Sequence, residues 1–102
     1  MINRIVYLSF KEEKEDEFLA LFDKYKEQIV CFPGCFSVIL LKDCNKPATY
    51  FTYSLWENTD SLELYRNSEL FRKVWNTTKS FLQDKPKAWS TKVIEKLENK
   101  TN

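Results

Sequence analysis

Residues 35–56 of the chain read CFSVILLKDCNKPATYFTYSLW, and this stretch decides the fold. Its two ends, residues 35–42 and 49–56, are rich in β-branched and aromatic side chains and flank a segment of turn-forming residues. The pattern predicts an antiparallel hairpin. Apolar side chains occur on both alternation parities of each strand, so both faces of the hairpin carry apolar groups that need to be covered.

Two segments precede the hairpin. Residues 2–10 carry β-branched and aromatic side chains on both parities, which predicts another strand. Residues 11–28 open with acidic side chains and continue with apolar residues at helical spacing, which predicts an amphipathic helix whose acidic end suits the helix dipole. Phe32, Pro33 and Gly34 end this helix, because proline lacks an amide hydrogen and glycine tolerates left-handed backbone angles.

Helical and strand patterns also follow the hairpin. Residues 57–60 supply helix-capping side chains, and residues 68–69 form a second capping signal ahead of an apolar helical stripe. Residues 85–86, Lys-Pro, end that stripe. Residues 88–97 predict a last strand.

The element order strand, helix, strand, strand, helix, strand is typical of the ferredoxin-like fold. We therefore predict one α+β domain over residues 1–102, with an antiparallel sheet, helices on one sheet face and a polar tail at about residues 98–102. The other sheet face is too apolar to be left in water. A second copy of the chain is expected to cover it, so that two sheets form a barrel-like homodimer.

The composition argues against several kinds of function. The chain has 16 basic and 15 acidic residues, without the basic excess that is typical of nucleic-acid binding. It has no histidine, and therefore lacks the commonest general base, metal ligand and proximal haem ligand. No carboxylate pair, nucleophile–base pair, glycine-rich phosphate loop or metal cluster can be assembled from the sequence.

The cysteine content and the length of the apolar runs bear on where the protein is expected to be located. Cys31, Cys35 and Cys44 do not form a disulfide framework, and a zinc site built on them would lack a fourth ligand. The N-terminal residues lack the pattern of a signal peptide, and no apolar run approaches the roughly 20 residues of a membrane span. We therefore expect free thiols, no membrane contact and a cytoplasmic location.

Several stretches resemble the antibiotic biosynthesis monooxygenase family of the dimeric α/β barrel superfamily. They are RIVYLSFKEE at residues 4–13, FPGC at 32–35, YSLWENTDSLELYRNSELFRKVW at 53–75 and KPKAWS at 85–90. The resemblance covers nearly the whole chain and implies the same ferredoxin-like dimer. It also implies one of three activities: cofactor-free oxygenation of dihydroxy-aromatic or quinol substrates, haem degradation, or isomerisation or binding of small molecules.

Haem degradation fits this sequence poorly. The asparagine, tryptophan and histidine positions of the haem-degrading members fall on Ile5, Tyr65 and Trp75, and no histidine stands elsewhere. Asn3 lies one pleat from Ile5 on the same strand face and is kept, with Trp75, as a candidate substrate contact. We therefore expect neither haem nor any other cofactor or metal.

Cofactor-free oxygenation requires a water-poor cavity, a weak base and a donor for the developing oxyanion. By resemblance, Trp56 corresponds to the family's strand-three tryptophan, whose indole N–H can donate, and Thr52 to an asparagine of the antibiotic-type enzymes. Tyr65 lies one helical turn after the position of their helix tyrosine. Trp56 and Tyr65 are thus the catalytic candidates. Further candidate substrate contacts are Thr52, Tyr7 on the strand face expected to meet the helices, and Arg72 as an anion-stabilising group.

Each candidate also has a purely structural interpretation. Trp56, Tyr65 and Trp75 fit apolar core positions, Arg72 fits an exposed helix surface, and Asn3 can satisfy a strand edge. Two functions therefore stay open. One is a monooxygenase of a small aromatic or quinol-type substrate; the other is a non-catalytic small-molecule-binding or stress-associated homodimer that keeps the fold without the chemistry.

Overall fold

The computed structural model of the protein describes residues 1–101. Its elements, in chain order, are β1 (Ile2–Ser9), a 3-10 turn (Glu12–Lys14), α1 (Glu15–Val30), β2 (Cys35–Lys42), β3 (Thr49–Trp56), α2 (Thr59–Arg66), α3 (Glu69–Ser80) and β4 (Lys87–Thr91). The strands form one antiparallel sheet in the order β2-β3-β1-β4. The α+β ferredoxin-like fold expected from the sequence is confirmed.

Local side-chain chemistry sets the two helix starts after β3. The Asn58 side chain accepts a hydrogen bond from the amide of Ser61 at 2.9 Å, at the beginning of α2. The Ser68 hydroxyl accepts one from the amide of Phe71 at 3.1 Å, at the beginning of α3. Each cap satisfies an amide that has no partner within its own helix. Both capping signals read from the sequence therefore act as predicted.

The core lies between the helices and one face of the sheet, in two clusters. A larger cluster at one end of the strands contains Leu8, Phe10, Phe18, Ala48 and Tyr50. A smaller cluster at the other end contains Ile2, Trp56 and Leu62. This arrangement places the even-numbered residues of β1 and β3 on the helix-facing side.

Within residues 1–101, no helix covers the opposite sheet face. Ile39, Leu41 and Trp89 expose 47%, 46% and 46% of their surface there. Tyr7 also lies on this face, with its ring 5.6 Å from that of Phe51, so the expectation that Tyr7 faces the helices was wrong. The sequence could not decide between the two faces, because both parities of β1 are apolar.

The last strand is shorter than the predicted span of residues 88–97. Thr91 pairs with Asn3, and β1 begins at Ile2, so β1 offers at most one more residue to the chain beyond Thr91. Val93, Ile94 and Leu97 are consequently exposed. Residues 98–101 of the predicted tail are exposed as well, and Asn102 lies outside the described residues.

Gly34 makes the close turn between α1 and β2. Its φ of +86° lies in the left-handed region, and a Cβ at this position would collide with the Cβ and hydroxyl of Ser61. The Gly34 carbonyl also accepts a hydrogen bond from the Glu57 amide at 2.8 Å, which joins the start of β2 to the end of β3. Glycine is required here for both backbone angle and space.

We predict that Gly34→Ala lowers the free energy of unfolding by about 1–3 kcal/mol, because it adds both backbone strain and a steric clash. Urea unfolding followed by tryptophan fluorescence measures the loss. The double variant Gly34→Ala, Ser61→Gly, compared with Ser61→Gly alone, should recover the steric part only. An unchanged unfolding midpoint in Gly34→Ala would contradict this account of the turn.

Candidate functional site

A cavity of about 310 Å³ lies between the helix-facing side of the sheet and the helices. Along this side of β3 the residues are Tyr50, Thr52, Ser54 and Trp56, so two small side chains stand between two large ones. Tyr50 belongs to one core cluster and Trp56 to the other. The cavity occupies the space that the small residues leave between the clusters. Its volume is at the lower end of the range of small-molecule sites, roughly 300–1,000 Å³.

The walls are mostly apolar and aromatic. Val6 and Leu8 of β1, Phe18 and Phe22 of α1, and Phe71 and Trp75 of α3 all contribute. Such a lining excludes water and offers flat surfaces against which an aromatic ring can pack.

Trp56 and Ser54 form a hydrogen-bonded pair in the cavity wall. The indole Nε1–H of Trp56 donates to the Ser54 Oγ at 2.9 Å, and Trp56 is only 1% exposed. The indole N–H is therefore already engaged and is not directly available to a substrate. A serine hydroxyl that accepts one hydrogen bond can still donate its own proton. Ser54 can therefore donate a hydrogen bond to a bound molecule while it accepts the one from Trp56.

Tyr65 contacts Trp56 through stacked rings whose centroids are 4.9 Å apart, and Phe32 and Phe71 pack edge-on at 5.3 and 5.2 Å. Burial raises the pKa of Tyr65 to about 12, and the nearby Cys35 thiol contributes in the same direction. A phenol with this pKa stays protonated near neutral pH. Tyr65 can therefore donate a hydrogen bond but cannot act as a base.

Four of the residues singled out from the sequence meet at this cavity. Thr52, Trp56, Tyr65 and Trp75 all line it. The other three do not. Asn3 is buried and has the strand parity of Tyr7, on the sheet face away from the helices, and Arg72 is an exposed residue of α3.

Tyr7 has partners of its own on its side of the sheet. Its hydroxyl donates to Asp84 at 3.2 Å and accepts from the Lys46 ammonium at 2.6 Å. Lys46 also pairs with Asp84 at 2.7 Å. This group ties β1 to the β2–β3 turn and to the segment before β4.

The sequence analysis did not single out five polar lining residues, among them Arg4, Ser54 and Arg66; the other two are Thr78 and Lys87. Arg4 and Ser54 are paired across β1 and β3 and share the helix-facing parity with Val6 and Trp56. Arg4 and Ser54 are polar residues at alternating strand positions that otherwise carry core side chains. This departure from the apolar pattern is the sequence signal that could have identified them. Arg66 stands four residues after the buried Leu62 on α2, so helical spacing would have placed it on the same side.

Nothing in the cavity wall is suited to accept a proton near neutral pH. The lining formed by the described residues contains no carboxylate and no free thiol. The same part of the chain contains no group of three or more metal-ligating side chains and no helix long and apolar enough to cross a membrane. The chemistry that the site offers is therefore an apolar enclosure with hydroxyl donors and two guanidinium groups.

The sequence matches the profile of the antibiotic biosynthesis monooxygenases over residues 1–76. The chain belongs to this family. The matched region includes β1 to β3, α2 and most of α3, and therefore most of the cavity wall. Comparison with curated proteins finds no match for the sequence.

Solved structures share the fold at low identity. A structure described as an antibiotic biosynthesis monooxygenase superposes with a TM-score of 0.86 at 18% identity, covering 93% of this chain and 100% of that one. A conserved protein from Methanosarcina mazei Go1 gives 0.84 at 19% identity, covering 88% and 89%. A mutant of SnoaB, a cofactor-independent oxygenase from Streptomyces nogalater, gives 0.84 at 13% identity, covering 96% and 97%.

The raised pKa of Tyr65 predicts how stability depends on alkaline pH. The unfolded chain releases the phenolic proton near pH 10 and the folded chain near pH 12, so the unfolded state is favoured as pH rises through this window. We expect Tyr65→Phe to make the fall in unfolding free energy between pH 10 and 12 shallower. Tyr50, whose pKa is also raised to about 12, keeps part of the fall. Parallel pH profiles for the two proteins would contradict the burial of the Tyr65 phenol.

Proposed function

We propose that the protein is a cofactor-independent monooxygenase of a small aromatic or quinol-type substrate. The observation that carries the proposal is the aromatic cavity between sheet and helices, with the Trp56–Ser54 hydrogen bond in its wall. Family membership supports it, and so does the shared fold of SnoaB, a cofactor-independent oxygenase. Fold alone does not fix an activity, so the residues of the cavity carry the argument.

The proposed reaction needs no outside reductant. A hydroquinone and dioxygen give a hydroxyquinone and water. One oxygen atom is inserted into a ring C–H bond and becomes the new hydroxyl. The two phenolic groups lose two electrons and two protons, which converts the ring to the quinone. The second oxygen atom takes up these two protons and leaves as water. The substrate supplies all four electrons that reduce dioxygen. The first passes to dioxygen from the ionised hydroxyl of the diphenol.

The cavity residues favour this chemistry by holding the reactive anion. Ser54, itself polarised by the Trp56 indole, donates to the ionised oxygen of the substrate, and Thr52 is a second hydroxyl in the same wall. Trp75 packs against the substrate ring. Tyr65 supports the position of Trp56 through ring stacking and supplies a protonated phenol.

One observation favours a second function. Among the described residues the lining contains no carboxylate or thiol base, so the substrate's proton has to pass to solvent. The same cavity suits a protein that binds a small aromatic molecule without converting it. In that case saturable binding of the aromatic compound would occur with no oxygen uptake above autoxidation.

We also propose that the protein acts as a homodimer that packs its two open sheet faces together. Ile39, Leu41 and Trp89 are half exposed on a face that no helix of the described residues covers, and Phe51 and Tyr53 of β3 share this face. Exposed apolar patches of this kind mark interaction sites on soluble proteins. In a two-fold symmetric dimer, the same apolar patch on each of the two subunits would be buried against the other.

For the oxygenase, we predict saturable oxygen uptake by metal-free protein with hydroquinones and dihydroxynaphthalenes, after subtraction of autoxidation. Ser54→Ala should lower kcat about 100-fold, because it removes the donor to the developing oxyanion. Ser80→Ala, which removes an exposed hydroxyl on α3, should retain wild-type kcat. Equal rates in the two variants would exclude the proposed role of Ser54.

For the dimer, we predict that Ile39→Glu lowers the mass measured by light scattering from about 25 kDa to about 12 kDa, because it buries a charge in the proposed interface. Leu64→Glu places the same charge on α2, where Leu64 is 68% exposed and away from the sheet, and should leave the dimer intact. A wild-type monomer at micromolar concentration would refute the proposal.

A further inference from the structure

Two arginines line the mostly apolar cavity, and no carboxylate lines it among the described residues. The chain as a whole is nearly neutral, with a net charge of +1, so this local excess is not a general property of its surface. Lys87 also borders the cavity, but its ammonium lies 5.9 Å from the centre of the Tyr7 ring, on the other sheet face. Arg4 and Arg66 are therefore the cations of the site.

Arg4 is poorly compensated. Its guanidinium donates to the hydroxyl of Ser90 at 3.0 Å, and within residues 1–101 it forms no ion pair. Burial lowers the pKa of Arg4, and the positive charge of Arg66 lowers it further, while Glu63 acts in the opposite direction. Glu63 pairs directly with Arg66 at 2.8 Å, so one carboxylate serves two guanidinium groups.

Two like charges beside an apolar cavity repel each other and are poorly solvated, which costs free energy. An anion bound between the two guanidinium groups would offset this cost. Guanidinium groups match planar carboxylates particularly well, because two parallel N–H donors meet two oxygens. The aromatic walls next to them match a planar ring.

We propose that the ligand of this cavity is an aromatic carboxylic acid, bound with its carboxylate at Arg4 and Arg66 and its ring against Phe71 and Trp75. The inference rests on the proposed function in that it names the substrate class of the same site. It assigns to Arg4 and Arg66 the anion-binding role that the sequence alone suggested for Arg72.

The contact between the carboxylate and the two arginines also orients the ring of the ligand for the proposed chemistry. Arg4 and Ser54 are cross-strand partners and both line the cavity, so we place the ring of a ligand held by Arg4 in the same cavity as the Ser54 hydroxyl. Ser54 receives the Trp56 hydrogen bond, and this bond polarises its hydroxyl as a donor to an ionised ring hydroxyl. The preferred substrate of the oxygenase is accordingly a dihydroxy-aromatic acid, and neutral diphenols are its weaker substrates.

The test compares 2-naphthoate with 2-naphthamide, which has the same rings and nearly the same shape but no charge. Binding is followed by quenching of tryptophan fluorescence, since Trp56 and Trp75 line the cavity. We expect 2-naphthoate to bind at least about tenfold more tightly than the amide. Arg4→Met and Arg66→Met should each remove most of this preference while leaving naphthamide affinity within about twofold, with the larger effect from the more buried Arg4.

Lys79→Met is the matched control, because it removes one positive charge from the exposed last turn of α3 without touching the cavity. Equal affinities for the two compounds in the wild-type protein would overturn the inference, and so would an equal loss in Lys79→Met and in both arginine variants. Arg66 is 42% exposed at a helix end, so its replacement should not disturb folding even if that of Arg4 does. Because binding is measured without turnover, an absence of oxygen uptake would refute the oxygenase and leave this result standing.

Discussion

The register between β1 and β3 is the constraint on which the rest of the structure depends. Leu8 is paired with Tyr50, and both pack with Phe10 and Phe18 under α1. The Phe10 and Phe18 rings stack at 4.2 Å. A slip of one residue would turn every side chain of a strand to the other face, so this cluster fixes which residues face the helices. Thr52 and Ser54 reach the cavity only because Tyr50 is held there.

The cavity follows from residue size along one strand face. Large residues at each end of β3 meet the helices and keep them apart from the sheet, while the two small hydroxyl residues between them leave a gap. Protein interiors are otherwise close-packed, and large voids are few. The same two small residues also provide two hydroxyl groups of the site, so they contribute both to its space and to its polarity.

The chemistry that we propose depends on charge more than on a base. The lining offers hydroxyl donors and guanidinium groups, which stabilise an anion wherever its proton goes. Tyr65, with its raised pKa, adds a neutral donor and not a proton acceptor. A substrate that already carries a negative charge suits such a site, which connects the inferred carboxylate to the proposed oxygenation.

The sequence by itself determined the element order, both helix caps, the turn at Gly34 and the apolar character of both sheet faces, because these depend on spacing and on local backbone chemistry. It also singled out Trp56, Tyr65, Thr52 and Trp75, all of which line the cavity, although only Trp56 keeps the residue type that the family resemblance implies. The sequence could not decide which parity of β1 meets the helices, so it misplaced Tyr7 and overlooked Arg4. Only the packing of Phe18 against Leu8 and Phe10 settles that choice. The end of β4 was likewise decided by the length of its partner strand, a non-local property that no pattern within residues 88–97 contains.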